Sequence, residues 1–265
     1  MTHATLDPYQ KGDSALHRLD ARVQLPLTLG FILVTALLPV RAWAVYLLLV
    51  AVVWAAALFS ELGLGYVLKR SLIALPFALA ALPVLFTIPG APLWYIGSLT
   101  ISQPGLERFA AVLLKSWISV QAAILLAGTH NLSELLLAMR ALRFPRLLVA
   151  VMGLMWRYLY LIVDEAARLM RARQARSGEA ASEQGKKGGT VVWRAKVTGG
   201  MAGSLLLRSF ERSERVYAAM LARGYDGEVR SLSVPGISTI HRRVLWTGLT
   251  VLAILLLFGI LLGGA

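Results

Sequence analysis

Six apolar runs punctuate the chain. Leu25 to Val40, Ala42 to Phe59, Leu72 to Ile88, Ala110 to Gly128 and Val244 to Leu262 are apolar around the whole helical circumference. A helix that is hydrophobic on every side belongs in a large core or in lipid, and runs of this length can cross a bilayer. Each is expected to be a transmembrane helix. Pro76 and Pro83 interrupt the third run, where missing backbone donors predict a kinked helix. Pro89 to Phe109 reads as a turn-rich external loop that carries Trp94 and Tyr95 to the interface. Lys115, near the outer end of the fourth run, is expected to snorkel.

The sixth run, Leu147 to Val163, carries Arg157 at its middle and continues as a helix into Asp164-Glu165. Beyond it the pattern becomes amphipathic. Asp164, Arg168, Arg171 and Ala175 are spaced by four, three and four and share one polar face. Leu206, Phe210, Ser213, Tyr217 and Met220 share an apolar side of a later helix, with Arg208, Arg212 and Arg215 on another. Asn131 to Leu142, Pro145 to Arg176 and Val191 to Arg223 are thus predicted as three helices at or below the membrane surface. Ser177 to Thr190 reads as a flexible loop. The small residues Gly199, Gly200 and Gly203 offer a place for two helices to cross closely.

Charge decides which side these helices occupy. The chain is 57% hydrophobic and only 15% charged, with a mean hydropathy of +0.67 in the full sequence and a formal net charge of +13. In a membrane protein such an excess of lysine and arginine marks the cytoplasmic side rather than nucleic-acid binding. From Arg140 to Arg243 there are 19 lysines and arginines against 8 acidic residues, a net +11. If Leu147 to Val163 crossed the bilayer, this block would lie outside, so the run is read as non-spanning. The fold class expected is an all-α integral membrane protein, with about five transmembrane helices and a cytoplasmic coupling domain of three amphipathic helices. Its parts are a cytoplasmic N-terminal segment 1–24, transmembrane helices 1–4 in 25–128, the coupling domain 129–243 and the last transmembrane helix 244–265. Met1 to Gln24 lacks the pattern of a cleavable signal peptide, so the first apolar helix is expected to direct insertion. The N-terminus is expected inside and the C-terminus outside.

Several chemistries have no support in the residues. There are no cysteines, and His3, His17, His130 and His241 are scattered without metal-ligand spacing, so no metal site and no cofactor is expected. No nucleophile and base pair up, and the predicted spans hold no paired carboxylates. Gly185-Lys186-Lys187 lacks the spacing of a phosphate-binding loop, so any nucleotide-derived energy must come from another chain. Two triplets remain, Ala175-Arg176-Ser177 and Ala222-Arg223-Gly224, each ending a predicted helix. An arginine there favours the partial negative charge of the terminal carbonyls, and small neighbours leave its guanidinium uncovered. One such triplet in isolation is more often a plain helix cap than a binding element.

The pair in context says more. Asp164-Glu165 followed by Arg168 to Ser177, then Leu207-Arg208-Ser209, then Ala219 to Gly227 resembles the transmembrane coupling subunit, or T component, of energy-coupling factor transporters, most closely the cobalt-type CbiQ branch. Leu16 to Val23, Leu142-Arg143-Phe144-Pro145 and Trp156-Arg157-Tyr158 match as well, so the resemblance covers nearly the whole chain. It implies a non-catalytic subunit of an ATP-binding-cassette importer in the bacterial inner membrane. Its partners would be the lipid bilayer, two ATP-binding cassette ATPase subunits and a substrate-specific membrane subunit of the cobalt type, with no nucleic acid. Arg176 and Arg223 would dock one into each ATPase, their small neighbours letting an acidic groove close around them. Gly224 would supply a left-handed cap. Val151, Met155, Tyr158 and Ile162, which recur on one helical face, would grip the substrate subunit. Nickel or a vitamin could replace cobalt. A reading from another class is a membrane-embedded enzyme or channel whose basic domain binds lipid head groups.

Overall fold

The computed structural model describes residues 9–96, 99–176, 190–226 and 236–263. These fall into two compact units, one formed by 1–142 with 234–265 and the other by 143–233.

The first unit is built on long apolar helices. Helix α1 (Ala21–Leu37) starts where the Asp20 carboxylate accepts the Arg22 amide at 2.8 Å, and α2 (Trp43–Phe59) follows after a short turn. At 17 residues each they reach about 25 Å, close to the thickness of a bilayer core. The third apolar run is broken into several pieces. Helix α3 (Leu64–Ser71), a 3-10 turn (Leu72–Ala74), α4 (Leu75–Ala81) and α5 (Val84–Thr87) follow one another, with a bend of 44° along the run. Pro76 lies in the first turn of α4 and Pro83 caps α5, the positions where a missing amide costs least. The expected kinked span is thus a broken one.

The stretch read as a loop contains a short antiparallel hairpin, β1 (Pro92–Ile96) with β2 (Leu99–Ser102), so the fold is all-α but for this element. Ser102 then caps α6 (Gln103–Thr129), accepting the Gly105 amide at 3.1 Å. Helix α6 is the central column against which α1 to α5 pack. Helix α7 (Leu132–Ala141) and the final α10 (Thr239–Gly263) both lie on α1.

Val45, Tyr46, Leu49, Val53, Val67, Ile118 and Leu125 form the buried core of this unit. Two indoles bond polar side chains of the core: Trp54 Nε1 donates to Gln121 at 3.2 Å and Trp117 Nε1 to Ser71 at 2.9 Å. Lys115 does not simply reach outward. Its Nζ donates to the carbonyls of Ala36 and Leu38 at 2.9 and 2.6 Å and so caps the C-terminal end of α1. Leu29, Leu33, Leu37, Leu47, Leu58, Ile254, Leu257 and Leu261 are exposed, an apolar exterior that suits lipid.

The second unit contains α8 (Arg146–Arg176) and α9 (Val191–Ala222). All three helices predicted after Asn131 are therefore present, and α7 packs within the first unit. By length and composition alone α6, α8 and α10 are each able to cross a membrane.

Candidate coupling site

The second half of α8 holds the residue that organises its unit. Glu165, the buried residue of α8, is only 7% exposed although it lies in a strongly basic tract. Arg212 Nη2 donates to its Oε2 at 2.8 Å and Arg208 Nη1 to its Oε1 at 3.3 Å. The two arginines stand four residues apart on α9 and so share a face. The Arg212 hydrogen bond first, and the Arg208 hydrogen bond second, hold the Glu165 carboxyl below the usual carboxylate range.

Further contacts set the direction of the two helices. Arg173 Nη1 donates to Thr198 Oγ1 at 3.0 Å, with its guanidinium 5.9 Å from the centre of the Trp193 ring. Toward the other end, Leu154, Tyr158 and Ile162 of α8 face Val216, Tyr217 and Met220 of α9 across a half-open groove of about 330 Å³. As α8 advances from 154 to 173, its partners on α9 recede from 220 to 198. The helices run antiparallel.

The predicted docking triplets thus lie on helices that point in opposite directions. Arg176 is the last described residue of α8, and both it and Ala175 are exposed. Ser177 lies outside the described residues. Ala222 ends α9 and Arg223 follows it, both exposed. Gly224 has φ +79°, the left-handed conformation that glycine adopts without a Cβ penalty. Its amide donates to Leu221 at 2.9 Å and that of Tyr225 to Met220 at 3.0 Å. This is a complete Schellman cap, closed on its apolar side by Tyr225 and Met220, which both line the groove. Arg223 is therefore presented on a fixed helix end.

The remaining predicted positions fare differently. Val151, Met155 and Ile162 are exposed, and Tyr158 and Ile162 line the groove toward α9. Gly199, Gly200 and Gly203 are all exposed, and a Cβ built on any of them meets no described atom within 4 Å. Small residues permit a close approach without requiring one, and α8 meets α9 instead through Glu165 and the two arginines. Sequence reading placed Arg208 and Arg212 on a polar face and missed their partner. The signal available was a carboxylate inside a basic helix and two arginines four apart on the next.

Among the described residues no three His, Cys, Asp or Glu gather where they could hold a metal ion. His17 and His130 are engaged locally. His17 Nδ1 lies 2.6 Å from Ser14 Oγ, and buried His130 donates from Nε2 to the Leu19 carbonyl at 2.9 Å.

Comparison with known proteins agrees with this architecture. Residues 12–233 match the CbiQ family, described as cobalt transport protein. The energy-coupling factor transporter transmembrane protein EcfT of Lacticaseibacillus paracasei is 28% identical over 86% of this chain and 87% of its own length. The protein of the same name from Thermosediminibacter oceani is 27% identical over 86% of each chain. The cobalt transport protein CbiQ of Rhodobacter capsulatus is 29% identical over 70% of this chain and 73% of its own. The chain therefore belongs to the CbiQ family, and is a non-catalytic transmembrane component of the energy-coupling factor transporter type, resident in a membrane.

Proposed function

We propose that this chain is the coupling subunit of an importer, joining two cytoplasmic ATP-binding cassette ATPases to a substrate-binding membrane subunit whose cargo is the cobalt ion. The observation that carries this reading is the pair of exposed arginines, Arg176 and Arg223, on two ends of one antiparallel, ion-paired helix pair. Two ends facing opposite ways suit two ATPases. A guanidinium at each end can form bidentate bonds to a carboxylate in a groove, and Ala175, Ala222 and Gly224 leave room for that groove to close. When ATP draws the ATPases together, the helix pair changes its angle and moves the apolar positions Val151, Met155, Tyr158 and Ile162 against the substrate subunit. Cobalt as cargo is supported by the description of the matching family and the name of the Rhodobacter capsulatus relative. Selection of the ion belongs to the partner subunit. The setting proposed is the inner membrane of a bacterium, with the N-terminus and α8–α9 in the cytoplasm and the C-terminus outside.

Docking is tested by charge reversal. Arg176→Glu together with Arg223→Glu should abolish co-purification of the ATPases while the chain stays inserted in the membrane. Each single change should weaken docking by about 2 to 5 kcal/mol, the range for breaking a buried charge pair. Undiminished recovery of ATPases with the double variant would contradict the reading. Uptake of radiolabelled cobalt by cells carrying the complete transporter, compared with nickel and biotin, decides the cargo.

A further inference from the structure

Glu165 has no task in docking, yet both of its carboxylate oxygens accept hydrogen bonds from arginines of α9. Isolated surface ion pairs contribute little, but a carboxylate this deeply covered and bonded on both oxygens is a different case. Its position is also singular. Arg176 follows Glu165 by eleven residues on α8, and Arg223 follows Arg212 by eleven on α9. Eleven residues make about three helical turns, or about 16 Å, so each terminal arginine lies on nearly the same helix face as the ion-paired residue of its own helix. Because the helices are antiparallel, the two arginines stand about 33 Å apart along the pair, with Glu165 at the midpoint.

We propose that Glu165, gripped by Arg208 and Arg212, is the fulcrum of the coupling helices, fixing their register while leaving them free to change angle. The inference rests on the docking reading above. One carboxylate shared by two arginines a helical turn apart resists sliding, since a shift of half a turn breaks one charge-assisted bond and a shift of one turn, about 5.4 Å, leaves the carboxylate at most one arginine instead of two. It resists rotation far less, because both bonds converge on one side chain rather than spreading along the helices. On the Arg223 side of this point the helices leave the half-open groove between Tyr158 and Tyr217, which gives them space to close. Equal arms convert equal movements of two ATPases into a scissor motion instead of a displacement of the whole pair. Glu165 is thus a positioning residue that acts through the two arginine ends.

The test separates coupling from docking. Complexes of the full chain with its ATPases and substrate subunit are reconstituted in vesicles, and uptake is measured per ATP hydrolysed. Spin labels on cysteines at Ala172 and Ala219, both exposed, report the angle of the pair in a chain with no native cysteine. Glu165→Gln should keep the ATPases bound and hydrolysing while uptake per ATP falls about tenfold or more, the order of a typical coupling between sites. The label distance should broaden and lose its response to ATP. The reversed pair, Glu165→Arg facing both Arg208→Glu and Arg212→Glu, should restore both readouts, since one guanidinium on α8 is then held by two carboxylates a helical turn apart on α9. Normal coupling in Glu165→Gln overturns the fulcrum, as does failure of the reversed pair to recover it. Loss of the ATPases from the Glu165→Gln complex also overturns it, because a fulcrum acts after docking. If the unaltered chain carries no ATPase pair, the docking reading falls and the fulcrum falls with it.

Discussion

At the scale of single residues, the fold keeps Glu165 charged. Its carboxyl titrates below the usual range because Arg212, and then Arg208, favour the anion. The interaction is therefore complete at any pH above the unfolded carboxylate value of about 4.3, and it disappears as the pH falls through the lower folded-state value. Distances between labels at Ala172 and Ala219 should stay constant from neutral pH down to about 5, and the α8–α9 pair should loosen only in stronger acid. Loosening near neutrality would mean that the arginines do not hold the anion. Gly224 makes a second residue-level prediction. At φ +79° a β-carbon is strained by about 1 to 2 kcal/mol, so Gly224→Val should speed amide hydrogen exchange in the last turn of α9 by roughly tenfold. Gly224→Asn should have a much smaller effect, as asparagine tolerates this conformation.

At the scale of elements, the tight helix contact of the first unit is α1 against α10. A Cβ on Gly248 would stand 2.5 Å from Leu27 Cδ2, and one on Gly259 would run into Leu38. Replacing both glycines by leucine should force α10 away from α1 and lower thermal stability in detergent, each change costing about 1 to 3 kcal/mol. Leucine at Gly199 and Gly200 should leave the melting temperature nearly unchanged, because nothing described lies within 4 Å of either position. Equal losses from both sets of changes would refute the distinction. The contrast also shows what the sequence could tell. Apolar runs located α1, α2 and α10 within about five residues because lipid solubility is a property of composition, whereas α6 begins at Gln103, seven residues before the run at Ala110 and inside the stretch read as a loop. Which small residues are crossed depends on the partner, and the leucines facing Gly248 and Gly259 lie some 220 residues away in the chain. The hairpin was hidden for a similar reason, since pairing of Tyr95 with Thr100 is not a local property. The role of Glu165 depends on Arg208 and Arg212 of α9, more than forty residues away in the chain, and so was not a local property either. The left-handed Gly224 after α9 was legible because caps are written locally.

At the scale of the whole molecule, the side of the membrane on which α8 and α9 lie decides whether they can reach a cytoplasmic ATPase. Helix α8 is 31 residues long and its first half is apolar enough to cross a bilayer. Against a crossing stand Arg157, exposed within that half, and the net +11 between Arg140 and Arg243. Lysine and arginine near membrane segments are retained on the cytoplasmic side, and a central arginine in lipid costs at least about 2.5 kcal/mol. A non-spanning α8 also gives a consistent order: α1 leads out, α2 in, the broken α3–α5 segment out, α6 in, and α10 out again. An impermeant thiol reagent can read this order directly, because the chain contributes no cysteine of its own. A cysteine at exposed Ala91, just ahead of the hairpin, should be labelled from outside in intact cells. Cysteines at Ala172 on α8 and Ala219 on α9 should be labelled only after the membrane is opened, and the bound ATPases should slow even that reaction at both sites. Labelling of Ala172→Cys from outside in intact cells would make α8 a transmembrane helix. It would put Arg176 beyond the reach of any cytoplasmic ATPase and remove the physical basis for a coupling subunit built on these two helices.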